Sequence, residues 1–166
     1  MTHRLRPVGT DFTEDAPIRL RFTAIASAAP PVVYQALAED VTGWPAWFRA
    51  VTLARPTHGG AGREIRLMGG VRFQETIMAA DPEQRYAYRV DETNVPGMRA
   101  LLEEWRLTPA GSGTRILWTF AADGTPAFRL GLAAARPGLG RSFRSAVRAL
   151  DGRLAAAHRT AGPQEQ

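Results

Sequence analysis

Between residues 51 and 122 the chain runs through six strand-like segments in succession, each closed by a turn signal. The segments are 51–56, 63–68, 71–80, 85–92, 99–108 and 114–122. Gly-Gly, Asp-Pro, Pro-Gly, Gly-Ser-Gly and Asp-Gly stand between or just after them. Connections this short can join only antiparallel neighbours, so the stretch reads as a meander. The exception is the connection around Asn94-Val95-Pro96-Gly97, which is the best candidate for a mobile loop.

A seventh strand precedes them. In 18–26, Ile18, Leu20, Phe22 and Ala24 share one face while Arg19 and Arg21 point the other way, the alternation of a half-buried strand. Pro30 and Pro31 then suit the first turn of a helix over 30–39, and 41–49 forms a second short turn or helix carrying Trp44, Trp47 and Phe48. After the meander, Phe143, Val147, Leu150 and Leu154 recur at i, i+4, i+7 and i+11, one stripe of a long helix over 139–158. Pro137 and Gly138 separate it from an approach segment over 126–135.

This order predicts an α+β fold: a seven-stranded curved antiparallel sheet around a long C-terminal helix, with two short helices after the first strand. One domain spans 17–159, flanked by flexible tails at 1–16 and 160–166.

Composition removes several functions. The sequence has no cysteine, which excludes disulfides, thiol nucleophiles and thiolate metal sites. No apolar run is long enough to span a membrane and no apolar signal segment opens the chain, so a cytoplasmic protein is expected. All 21 basic residues are Arg. Residues 1–123 balance 14 Arg with 14 acidic residues, so the net charge of +5 comes from the C-terminal segment alone. That locality, and the lack of interleaved surface aromatics, argues against nucleic acid. His3, His58 and His158 have no metal-ligand spacing, and no cofactor or metal is expected.

Three passages carry a family resemblance. Residues 25–37 (IASAAPPVVYQAL), 40–51 (DVTGWPAWFRAV, with Asp40, Trp44, Pro45 and Trp47) and 113–120 (GTRILWTF, with Gly113, Thr114, Arg115 and Trp118) are similar to the START-like superfamily. That superfamily, also called SRPBCC, includes the polyketide cyclase/dehydrase-like and lipid-transport proteins. The resemblance covers about residues 18–158 and implies a helix-grip fold with an internal pocket. It implies no catalytic residue.

Strand parity supplies candidates. With the apolar parity inward, Arg63, Ile65 and Leu67, then Val71, Phe73, Glu75 and Ile77, then Tyr86, Tyr88 and Val90 face the interior. Leu101, Glu103, Trp105 and Leu107 follow, and then Ile116, Trp118 and Phe120. From these, Arg63, Ile65, Leu67, Phe73, Glu75, Ile77, Tyr86, Tyr88, Trp105, Trp118 and Phe120 are the expected ligand contacts. Glu75 and Glu103 are the odd members, because burying a carboxylate is costly unless it is paired or wet. A structural ion pair with Arg63, a wet cavity and a catalytic acid/base all remain open for them.

The leading expectation is a binder of a hydrophobic small molecule, such as a lipid, polyketide or isoprenoid-like compound. One alternative is an aromatase/cyclase or dehydratase using Glu75 or Glu103, with Tyr86 or Tyr88 assisting. Another is an adaptor that meets an anionic surface or partner through Arg141, Arg144 and Arg148. Homodimerisation stays open.

Overall fold

The computed structural model describes residues 1–160, so the expected tail beyond 160 lies outside the described residues. The strands are β1 (His3–Arg4), β2 (Ile18–Ala26), β3 (Val51–Thr57), β4 (Gly62–Leu67), β5 (Arg72–Asp81), β6 (Arg85–Thr93), β7 (Met98–Ala110) and β8 (Gly113–Gly124). Seven of them form one sheet in the order β2-β8-β7-β6-β5-β4-β3, every neighbour antiparallel. The meander thus starts at one edge, and β2 closes the other by pairing with β8. Register slips in β3, between β5 and β6, and near the start of β7 bend the sheet, as bulges do.

The helices are α1 (Phe12–Asp15), α2 (Pro30–Tyr34) and α3 (Pro126–Thr160). Pro30 and Pro31 open α2 as expected, and the helix continues as a wider π turn over Gln35–Glu39. Val41–Ala46 is a 3₁₀ turn, started by the Asp40 side chain accepting from the Gly43 N–H. With the grip helix added, this is the helix-grip arrangement.

Two expectations need correction. The approach segment and the main helix are one unbroken element: Pro137 sits within α3. Its neighbours Ala133 and Arg136 are exposed, so the carbonyl that Pro137 leaves unbonded is free to meet water, and the lost hydrogen bond is cheap. Nor is 1–16 a loose tail. β1 pairs with the end of β6, at Arg4 and Glu92, where β6 has parted from β7. Leu5, Val8, Phe12 and Ala16 are buried, three of them with Ala100, Leu102 and Ala121 on the outer face of the sheet. These four apolar residues have a helical spacing of 3, 4 and 4, but Pro7 and Gly9 interrupt it, which is why the segment reads as unstructured.

The C-terminal half of α3 fills the sheet's concavity. Phe143, Ala146, Val147 and Leu150 are buried, and Phe143 packs its ring 5.7 Å from Trp118 and 5.8 Å from Trp105. Each large side chain buried this way contributes roughly 1.5–3 kcal/mol. The Asp151 carboxylate ties this half down by accepting from the Ser27 N–H and hydroxyl, both at 2.8 Å. The N-terminal half differs. Its small residues, Gly131, Ala133, Ala134 and Gly138, are exposed, and it stands over the concavity without filling it.

Candidate functional site

Beneath that half of α3 lies a cavity of about 400 Å³. Alternation along the strands brings Arg63, Ile65 and Leu67 from β4 to its wall, with Val71 just before β5 and Phe73 and Glu75 in it. Tyr88, Glu103, Trp118 and Phe120 come from β6, β7 and β8. Trp44 and Phe48 close one side. Trp44 is fixed there because its indole N–H donates to the Leu37 carbonyl at 3.0 Å.

Parity did not reveal the roof. Phe128, Leu132, Ala135, Leu139 and Ser142 line the cavity from α3. Their spacing of 4, 3, 4 and 3 was legible as a helical stripe, but Pro137 interrupts it. Val95 and Met98 add a further edge. The connection that carries Val95, expected to be mobile, is held: the Asn94 side chain accepts from the Arg72 N–H and donates to the Gly70 carbonyl, both at 2.9 Å.

Three expected contacts lie elsewhere. Ile77 and Tyr86 keep the inward face but lie beyond Arg63, where they line a separate hollow with Glu39, Thr42 and Ala80. Trp105 is core: its ring lies 5.4 Å from Trp118 and 5.7 Å from Trp44.

The polar groups of the cavity form one row across the sheet. Arg63 pairs in register with Glu75, and Tyr88 with Glu103. Arg63 Nε donates to Glu75 Oε2, and both side chains are almost wholly buried. The guanidinium is also stacked, its central carbon 3.6 Å from the Tyr88 ring centre and 4.3 Å from that of Trp44. Contacts of this kind favour a desolvated cation. Burial works against the Arg63 charge, but Glu75 and the two tyrosines hold it cationic. Burial pushes the Glu75 carboxyl up, with Arg63 pulling the other way. Of the readings open for Glu75, the ion pair is the one that forms. Arg63 Nη1, also buried, finds no acceptor among the described residues.

Among the described residues, no cation pairs with Glu103. Tyr88 donates its hydroxyl to Glu103 Oε2 at 2.8 Å, Trp118 Nε1 donates to the same oxygen at 2.9 Å, and Trp105 Nε1 donates to the Tyr88 hydroxyl at 2.9 Å. Burial, reinforced by the charge of Glu75, pushes the Glu103 carboxyl up to about 7 despite these donors. Burial likewise pushes the Tyr88 phenol well up.

Among the described residues, no group of three or more His, Asp or Glu side chains is placed to hold a metal. None of the described helices is long and apolar enough to cross a membrane. Arg141, Arg144 and Arg148 are exposed on α3, away from the cavity wall.

Comparisons with known proteins agree with this fold. Residues 17–155 match the family described as polyketide cyclase / dehydrase and lipid transport. An uncharacterized protein of Mycobacterium tuberculosis is 32% identical over 162 residues, covering 92% of this chain and 96% of the relative. Among solved structures, the ZhuI aromatase/cyclase of Streptomyces superposes with a TM-score of 0.67 at 21% identity, over 87% of this chain and 98% of that one. A START superfamily protein of Mycobacterium smegmatis gives 0.66 at 10% identity, over 84% and 98%. At these identities the structural likeness speaks for the fold.

Proposed function

The chain belongs to the polyketide cyclase/dehydrase and lipid-transport family, and from that premise we propose that it binds an apolar, ring-containing small molecule under the N-terminal half of α3. The observation that carries this reading is Arg63 Nη1: a buried donor on the wall of a largely apolar cavity, with no acceptor among the described residues. Leaving such a donor unsatisfied costs about 1–3 kcal/mol, and more for a charged group. A ligand that places an acceptor oxygen there recovers the cost while its apolar body covers Ile65, Leu67, Phe73 and Phe120. The cavity, near 400 Å³, falls in the range that holds small ligands of drug-like size. Lipids, polyketides and isoprenoid-like compounds bearing an oxygen all fit this description.

The test is occupancy. Native mass spectrometry of protein purified from its own host should show a bound small molecule, and Leu132→Trp, which fills the cavity from the roof, should lose it while the protein stays folded. A ligand retained by that variant would overturn the assignment.

A second reading, an aromatase/cyclase or dehydratase-like enzyme, draws support from Glu103 rather than Glu75. Glu103 lines the cavity without a cation, and a carboxyl with an affinity for protons near neutrality suits general acid/base work. On this reading Glu103→Gln abolishes turnover of a polyketone substrate; turnover that persists in that variant removes it.

A further inference from the structure

The binding mode above uses one polar contact, yet the row of groups it belongs to ends in a second. Both hydrogen bonds to Glu103, from Tyr88 and Trp118, go to Oε2. Among the described residues no group donates to Oε1. The one cation on the wall, Arg63, is already matched by Glu75. Among the described residues, the polar and titratable groups facing Glu103 are therefore Arg63 from β4, Glu75 from β5 and Tyr88 from β6, while Tyr86 lies beyond Arg63 in the neighbouring hollow. From β8 come only Trp118 and Phe120, and the roof on α3 offers only the neutral Ser142.

Oε1 of an ionised Glu103 and the acceptor edge of a ligand would repel each other in a site with little water to screen them. A protonated carboxyl reverses that relation, since it carries a hydrogen to donate. We propose that Glu103 meets the ligand in its protonated form, donating from Oε1 to a second oxygen of the ligand, so that ligand uptake is coupled to uptake of one proton. This rests on the binding reading above and narrows it. The preferred ligand carries two oxygens on one edge of an apolar body, one for Arg63 Nη1 and one for Glu103, as in a hydroxyquinone or a β-diketone. Hydrocarbons satisfy neither group. With the proton in place the row Arg63–Glu75–Glu103 is neutral overall, which suits burial beneath an uncharged body.

The sign of the pH dependence follows. Glu103 titrates near neutrality in the free protein, and a ligand that needs the proton raises that value. Affinity is complete on the acid side and is lost as pH rises through the free-protein value.

The experiment uses 1-hydroxyanthraquinone, whose internally bonded hydroxyl does not titrate near neutral pH, with anthracene as the oxygen-free control. Binding is read by quenching of the cavity tryptophans from about pH 5.5 to about pH 8.5. The wild-type dissociation constant should be flat at the acid end and rise by about tenfold per pH unit above roughly pH 7. Anthracene, which offers no acceptor for the Glu103 hydrogen or for Arg63, should bind more weakly than the quinone at the acid end, and Glu103→Gln should bind the quinone with a pH-independent constant. Adding the quinone to wild-type protein in weak buffer near pH 8 should consume close to one proton per molecule bound, a readout that does not depend on the variant folding. Quinone binding that is flat with pH, or that consumes no proton, overturns the proton coupling and leaves the binding reading intact. If neither probe binds at any pH, both fall together.

Discussion

Tyr88 donates its hydroxyl hydrogen to Oε2 of Glu103 at 2.8 Å, across the register that pairs β6 with β7. The same hydroxyl accepts from Trp105 Nε1, so one phenol oxygen links a core indole to a cavity carboxyl. Tyr88→Phe removes two bonds at once and leaves the Trp105 N–H buried without a partner. Thermal or urea unfolding should register a loss of about 1–3 kcal/mol. With one donor fewer, the Glu103 carboxyl should titrate at still higher pH, measurable by NMR of its carboxyl carbon.

The Arg63–Glu75 pair gives a sharper contrast. Glu75→Gln leaves the Arg63 charge uncompensated in a buried position, and should cost about 3–5 kcal/mol in urea unfolding. Replacing both, as Arg63→Met with Glu75→Leu, removes the charges together and should restore most of that stability or exceed it. The double variant should nevertheless fail to bind an oxygen-bearing ligand. Stability recovered without binding would separate the pair's structural role from its part in recognition.

Much of this site was legible in the sequence. Period-two alternation placed Arg63, Glu75, Tyr88, Glu103 and Trp118 on one face, and the structure gathers all five around one cavity or its wall. Parity gives the face but not the position along it. Ile77 and Tyr86 share the inward face, with Tyr86 packed against Tyr88 and Arg63, yet they line a separate hollow beyond Arg63. Nothing in a single sequence marks where one hollow ends and the next begins. The order of elements was legible for the same reason as the parity: short turns leave an antiparallel meander few alternatives. The roof was missed because local propensity reads Pro137 as a stop, whereas an exposed helix tolerates it.

The N-terminal segment shows the opposite failure, and it can be tested. Phe12, 7% exposed, belongs to the small cluster on the outer face that includes Val8, Ala100, Leu102 and Ala121. Its helical spacing with Leu5, Val8 and Ala16 is broken by Pro7 and Gly9, so no regular element announces its burial. Phe12→Ala should lower stability by about 3–5 kcal/mol if the segment packs as described, and by almost nothing if 1–16 were a free tail. Hydrogen exchange should agree: the Leu5 amide, bonded to the Asp91 carbonyl at 2.8 Å, should be protected.

Glu103 also makes stability depend on pH in a direction unusual for a carboxyl. In the unfolded chain it titrates near its ordinary 4.5, and in the folded protein near 7. Between those values the folded state binds the extra proton, so stability is fully present below about 4.5 and declines as pH rises through about 7. The span corresponds to at most about 3 kcal/mol. Asp123 and Glu64 are shifted the opposite way, their carboxyls held down by hydrogen bonds from Arg129 and Arg66 against the effect of burial, and they lose stabilisation only in stronger acid. Glu103→Gln isolates the one group: an amide keeps an acceptor for Tyr88 and Trp118 and cannot ionise. The variant should gain stability over wild type near pH 8, where Glu103 is charged, and show little gain near pH 5. Urea titrations of both proteins at the two pH values measure this directly, and an equal difference at both would mean that Glu103 does not titrate between them.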